Sequence, residues 1–493
     1  MKTVTMNSRV PRALPLVLAT LLFAMLLFAM SPASTRAEEA AQEKVFRAGA
    51  FAVDITPLEL PVIINGGMYE RTADSIVDRL HARCLVLDDG STQLAIVVVD
   101  SCMLPRDLLD DAKGLASKAT GIPTERMLIS ATHAHSCPAA MGCLGSDADE
   151  KYRKFLPPQI AKGIAQAQKN LAPARIGWAV GKDDKNVFVR RFEMKPGTAR
   201  TNLFSGKKDD RAQMNPGYQN PNAIKQTGVP DTDVSVVSIQ SPEGRPIALL
   251  ANYSTHYAGA PAISADYFAA FAEKIGELIG ADKNRKQGQP PFMAIMSNGT
   301  SGDTNCNNFT RPKREYDRFT VADDTAAAAF EAYQRIEYQD WVPLAMAERK
   351  LTLKVRQADA EELARAKEYL AQFDGRKPKL LDEVYAREAV ILSELPPTRE
   401  LKIQAIRIGE LGIGTIPNEV YSSTGLAIKK NSPFETTFTI ELANGAEGYI
   451  PPPEQHKLGG YTTWRARTSS LEVNAEPKIR KTVLELLREV KGK

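Results

Sequence analysis

The sequence predicts a mixed α/β (α+β) protein in which central mixed sheets are flanked by helices within a single large domain. Three observations carry this. Apolar strand-like runs alternate with helix-spaced segments from about residue 46 to the C-terminus. Hydrophobic residues are 43% and charged residues 25% of the 493, an ordinary globular balance that excludes wholesale disorder, collagen and a multi-span membrane protein. No internal repeat, low-complexity tail or evident linker divides the chain, and its length allows a sizeable core.

In order along the chain, residues 1–37 read as a secretory signal peptide: a basic stretch through Arg12, an apolar run from Ala13 to Met30, then SPASTRA before the acidic start at Glu38. Cleavage is expected after Ala37, leaving 38–493 as one domain in a secreted or periplasmic protein. The rival reading is an uncleaved membrane anchor, since 18 apolar residues nearly span a bilayer. No Cys precedes Cys84, which excludes a lipoprotein attachment. The leader also carries the whole net charge of +4, because it contains Lys2, Arg9, Arg12 and Arg36 and no acid. The remaining chain is neutral, with no broad electrostatic footprint for nucleic acid.

FRAGAFAVDITP reads as a strand closed by Thr56-Pro57, and LHARCLVLDDGSTQLAIVVVD as two strands hinged at Asp88-Asp89-Gly90. A helix near 105–119 leads to the buried strand MLISAT. DEKYRKFLPPQIAKGIAQAQKNL has helical spacing after its proline pair. VSVVSIQ and PIALLANYSTH form a strand pair around residues 242–244. Residues 200–230, rich in Asn, Pro, Gly and Lys, read as a long surface loop of the kind that rims a site. The span 321–373 is mostly helical with a strand at LTLKVR, LKIQAIRIGELGIGTIP is a strand hairpin, and PKIRKTVLELLREV is a closing amphipathic helix. Five cysteines are too few for a disulfide framework, and Cys137 and Cys143 could form a local disulfide or stay as buried thiols.

The chain has five histidines, and two form His133-Ala-His135 directly after the strand MLISAT. Residues two apart on a strand share a face about 6.5 Å apart, so both imidazoles can address one centre, although a polar strand end would give the same pattern. His256 also follows an apolar strand, where α/β sheets place their sites; a satisfied core histidine is the alternative. Three neutral imidazoles with a carboxylate would suit zinc, with an open position for water or substrate. Glu419, in GTIPNEVYSSTG, sits at the start of an expected helix, where it could be a ligand or simply stabilise the helix dipole. Tyr449 and Tyr461 lie in Gly-rich turns and have no local signal of their own. The loop SNGTSGDTNCNNF offers many backbone N–H groups, either as an anion cradle or as an Asx-rich turn.

In this order the pieces resemble the neutral and alkaline (non-lysosomal) ceramidase family. AGAFAVDITP resembles its N-terminal strand, INGGMYERTADSIVDRLHARCLVLDDG its Gly-containing loop and arginine-bearing strand, and SATHAHSCPA its Ser-x-Thr-His-Thr-His-Ser-Gly-Pro signature. The likeness continues through His256, SNGTSGD, IPNEVY and the tyrosine pair, over roughly residues 46–470. It implies a zinc-dependent hydrolase that cleaves the amide of N-acylsphingosine, with His133, His256, Glu419 and Tyr449 as metal ligands. Tyr461 is similar to the family's second active-site tyrosine, His135 to its substrate-binding histidine, and Arg190 to an active-site arginine for which Arg191 is nearly as good a match. Asp303 of the loop joins this catalytic set.

Two departures stand out. Asn305 occupies the place of a serine proposed as nucleophile in the family, so water, Ser301 or Thr304 would have to serve, and we favour water. The family's C-terminal immunoglobulin-like domain is also expected to be missing. The implied partner is a lipid-like amide met at a membrane surface in transient contact, with no nucleic acid and no obligate protein partner.

Overall fold

The structure is a computed structural model that describes residues 1–7, 44–283 and 285–493. Most of the expected leader lies outside these residues. The chain divides into Met1–Lys44 and Val45–Lys493, and every element below belongs to the second unit. Among the described residues no helix is long and apolar enough to cross a membrane.

Three mixed sheets make the core, as the alternation of strands and helices predicts. The first runs in the order Met127–Ala131, Gln93–Val99, His81–Asp88, Arg47–Asp54, Ala172–Pro173. The second orders Met293–Asn298, Pro246–Tyr253, Asp233–Gln240, Arg175–Lys182, and the third Leu344–Lys354, Thr398–Ile408, Leu411–Thr415, Thr436–Ile440. Most neighbours are antiparallel, and the expected hairpins are present. The His81–Asp88 and Gln93–Val99 pair, for example, turns where Asp88 accepts the Gly90 N–H, Asp89 accepts those of Ser91 and Thr92, and Gly90 takes φ +91°.

Each sheet also contains one parallel pair: Gln93–Val99 with Met127–Ala131, Pro246–Tyr253 with Met293–Asn298, and Leu411–Thr415 with Thr436–Ile440. Parallel strands cannot be joined by a tight turn. A helix crosses over in each case: Arg106–Thr120, Asp266–Ile279 and Ser422–Asn431. The molecule therefore holds three βαβ units, one per sheet, whose strands are buried almost throughout. Their carboxyl ends meet, with Ala131 N–H donating to Leu442 O and Glu441 N–H to Asn298 O. Ligand sites of α/β sheets form at such strand ends.

Several local expectations change. Helix Glu150–Lys169 begins before the proline pair, not after it, and carries Pro157 and Pro158 inside. An internal proline costs about 3 kcal/mol. Against this stand the Asp149 cap on the Tyr152 N–H and the burial of Tyr152, Leu156, Ile160 and Ile164, of which each aliphatic or aromatic side chain contributes roughly 1.5–3 kcal/mol. Packing wins. Residues 200–230 are not loop throughout: Ala212–Met214 and Ala223–Gln226 flank Arg191–Met194 in a small sheet. All five cysteines are buried and unpaired, which settles the Cys137 and Cys143 alternative in favour of free thiols.

Candidate metal centre and active site

Each βαβ unit delivers side chains to one place. From the first come Cys102 and the histidine pair, though not by strand alternation. The strand ends at Ala131, and His133 turns with φ +71°. This turn, rather than a shared strand face, brings the two Nε2 atoms to 3.5 Å. His133 Nδ1 lies 2.8 Å from Cys102 O. A carbonyl only accepts, so Nδ1 carries the hydrogen and Nε2 presents its lone pair, 3.2 Å from Glu419 Oε2.

The second unit supplies His256, just beyond its strand. Its Nδ1 lies 3.1 Å from Ser301 O, which fixes the same tautomer, and its Nε2 is 3.9 Å from Glu419 Oε2. The third unit supplies Glu419, which is not in the first turn of a helix. It lies on the two-residue strand Glu419–Val420, pairs in parallel with Tyr449–Ile450, and the helix starts only at Ser422. The register sets Glu419 against Tyr449, so both side chains leave the same face. Ligand atoms of His133, His256 and Glu419 all lie within 4.8 Å of one another, and the three residues are buried.

This donor set fits a divalent ion of the zinc type, with two imidazoles whose outer nitrogens are held by carbonyls, one carboxylate and a phenol alongside. Cys102, His133 and His135 also lie within 4.8 Å of one another. Burial pushes the Cys102 thiol well up. Burial, then the Arg190 charge, pushes His256 well below the usual imidazole range. Burial and His133 do the same to His135.

The other expected residues surround this centre. The Arg190 guanidinium sits among its groups, with Nη2 3.3 Å from His256 Nε2 and donating to Tyr449 Oη at 3.3 Å and Gly302 O at 3.1 Å. Burial opposes its charge, but the tyrosine oxygens and Glu419 hold it protonated. Arg191 turns elsewhere, donating to Gln455 Oε1, Gln455 O and Gly459 O. Tyr461 packs edge-on to Tyr449 with ring centres 5.6 Å apart, and burial and the Glu419 charge push both phenols up. His135 stacks on Tyr257 at 4.0 Å. Gly66, at φ +96°, lies beside the same ring, where a Cβ would come within 2.5 Å of its Cγ and Nδ1.

Asp303 lies behind this group and does not line the cavity: its backbone carbonyl accepts the Arg190 N–H at 2.9 Å. Its carboxylate accepts the Ser422 N–H at 2.7 Å, at the start of the Ser422–Asn431 helix. Ser301 donates its hydroxyl to Glu441, Thr304 donates to Ser254 O at 2.7 Å, and Asn305 donates to Asn215 Oδ1 at 3.2 Å.

A cavity of about 430 Å³ opens over the centre, within the size range of small-molecule sites. Its inner wall includes His135, Arg190, His256, Tyr257, Tyr449 and Tyr461. Residues 200–215 form much of the rim, as the sequence suggests, with Arg200, Leu203, Gln213 and Asn215 among them. Neither Ser301, Thr304 nor Asn305 lines it.

No family model matches the sequence, and no curated protein matches it either. Solved structures do. The crystal structure of neutral ceramidase from Pseudomonas aeruginosa superimposes with a TM-score of 0.67 at 18% identity, covering 91% of this chain and 75% of that one. The fold is that of neutral ceramidase. A second structure, a ceramidase complexed with C2, gives a TM-score of 0.65 at 16% identity over 91% of this chain and 76% of that one. At such identities the likeness speaks for the ceramidase fold, and the chemistry of this chain rests on its own residues.

Three residues of the site gave no signal in the sequence. Tyr257 lies just past the strand expected to end at His256. Cys102 acts through a carbonyl, which no motif reports, whereas Gly66 belongs to the Gly-containing loop noted above and acts through a missing Cβ. Glu441, in ELANGAEG, lay in a segment notable only for its glycines.

Proposed function

We propose that this chain is a metal-dependent hydrolase of lipid-like amides, with N-acylsphingosine as the leading substrate and water as the attacking group. One observation carries the reading: His133, His256 and Glu419 converge from three separate βαβ units, beside Tyr449, and His256 and Tyr449 open onto a cavity. Zinc held by these four residues would act as a Lewis acid on the amide carbonyl and lower the pKa of water. The protein's own groups supply the rest. Tyr461, protonated at neutral pH, donates to the carbonyl oxygen as negative charge develops. Arg190 holds Tyr449 in place and adds a fixed positive charge at the same spot. His135, neutral and braced by Tyr257 and Gly66, orients the substrate. Water adds to the carbonyl carbon, the C–N bond breaks, and the amine leaves with the proton. Asn305, whose amide cannot serve as a nucleophile, supports water over the loop position where the resemblance expects a serine.

A second reading keeps the centre and changes the substrate to another amide or an ester. Asn305 in the loop and the polar groups Arg200, Gln213 and Asn215 on the cavity wall favour it. The test is metal analysis of purified protein followed by hydrolysis of N-acylsphingosine in competition with short N-acyl amides and esters. We expect one bound ion per chain, preference for the sphingoid amide, and loss of both ion and turnover in His133→Ala. Full zinc occupancy and rate in that variant would defeat the ligand assignment. Preference for a non-sphingoid substrate would select the second reading, and bound zinc without hydrolysis of any substrate would make the chain a non-catalytic binding homologue.

A further inference from the structure

Glu441 follows the Thr436–Ile440 strand and is fully buried. A buried carboxyl group is costly unless its oxygens are satisfied, and here both are bonded, although burial pushes the group well above the usual carboxylate range. Oε2 accepts two backbone N–H groups, from Val420 at 2.7 Å and from Ser301 at 3.2 Å, while Oε1 accepts the Ser301 hydroxyl. The two segments it joins also touch directly. Gly302 N–H donates to Val420 O at 2.7 Å, and a Cβ on Gly302 would lie 2.9 Å from Glu419 O.

Each segment abuts a metal-site residue. Val420 is the residue after Glu419. Ser301 sets its carbonyl 3.1 Å and its hydroxyl 3.3 Å from His256 Nδ1, so its position decides how the imidazole turns and which nitrogen keeps the lone pair. Asn298 Nδ2 steadies the same hydroxyl at 3.1 Å. An aliphatic side chain would fill this volume without the desolvation cost, yet it could not hold three donors at once.

We propose that Glu441 is a positioning residue for the metal centre, clamping the Ser301 turn and the Val420 peptide so that His256 and Glu419 face one ion. The inference rests on the metal reading above. It concerns a residue that would touch neither ion nor substrate, and it places the third βαβ unit in charge of the second unit's histidine. Residues behind a ligand in this way typically change metal affinity by roughly 10–100-fold.

The test uses metal-free full-length protein, Zn²⁺ titrated against a chromogenic chelator, and the visible spectrum of the Co²⁺ form, which reports ligand geometry independently of turnover. Glu441→Asp is one methylene too short to reach both peptides, and it should weaken Zn²⁺ binding 10–100-fold and shift the Co²⁺ bands. Glu441→Leu fills much of the volume but accepts from none of the three donors. It should lose several-fold, and it covers the case in which the Asp variant fails to fold. Either folded variant binding Zn²⁺ with wild-type affinity and giving the wild-type Co²⁺ spectrum overturns the proposal, even if its melting temperature falls, because Glu441 would then only support packing. Wild-type protein that binds no Zn²⁺ would instead remove the metal reading itself.

Discussion

Arg190 and Arg191 are adjacent, both buried, and serve different partners. The first faces His256 and Tyr449, and the second ties down the backbone between Gln455 and Gly459. Their replacements should therefore separate cleanly. Arg190→Ala is expected to cut kcat/KM by about 100-fold or more, as loss of a charge-stabilising donor does, with a small change in melting temperature. Arg191→Ala strips donors from two buried acceptors and a partly buried one, at about 1–3 kcal/mol per buried group left unpaired, so thermal melting should register it first. The sequence could bring the choice down to these two residues and no further, since what separates them is the break between the strands Phe188–Val189 and Arg191–Met194, at which Arg190 sits. His133 offers the same lesson: its spacing from His135 was legible, whereas the left-handed backbone that joins their nitrogens was not. For Asp303 the motif was visible and the bond to Ser422 N–H was not.

At the scale of elements, the strands and their hairpins were readable because each is an apolar run bounded by turn residues. The parallel pairings were not, because nothing local distinguishes a crossover from two unrelated strands. The helices Asp266–Ile279 and Leu381–Glu394 also went unread. One short element has a measurable pH signature. His456 ends the turn Pro453–His456, whose Gln455 anchors Arg191. Burial, then the charges of Arg356 and Arg191, lower its pKa from 6.5 to about 4. Above pH 6.5 the ring is neutral in both folded and unfolded chains and contributes nothing to pH dependence. Between 6.5 and about 4 the unfolded chain takes up a proton that the folded one refuses, so stability falls as pH drops through that window. His456→Gln should lose less melting temperature than wild type between pH 7.5 and 4.5, and equal losses would show that the histidine titrates normally.

For the whole molecule, the three sheets share no single turn or strand at the site and are joined there by a few hydrogen bonds between strand ends. An ion bound by residues 133, 256, 419 and 449 would cross-link all of them. Zn²⁺ at 100 times its Kd should then stabilise the fold by about 2.7 kcal/mol, seen as a rise in melting temperature that a chelator reverses and His133→Ala abolishes. A different kind of independence follows from the cysteines. Since no covalent bridge joins any part of Val45–Lys493 to another, the native connectivity can be reached without an oxidant. Burial also pushes the thiols of Cys84, Cys137 and Cys306 up, far from reactive thiolate. Maturation can thus proceed in reducing surroundings, and alkylating reagents will find these sulfurs only after the chain has opened.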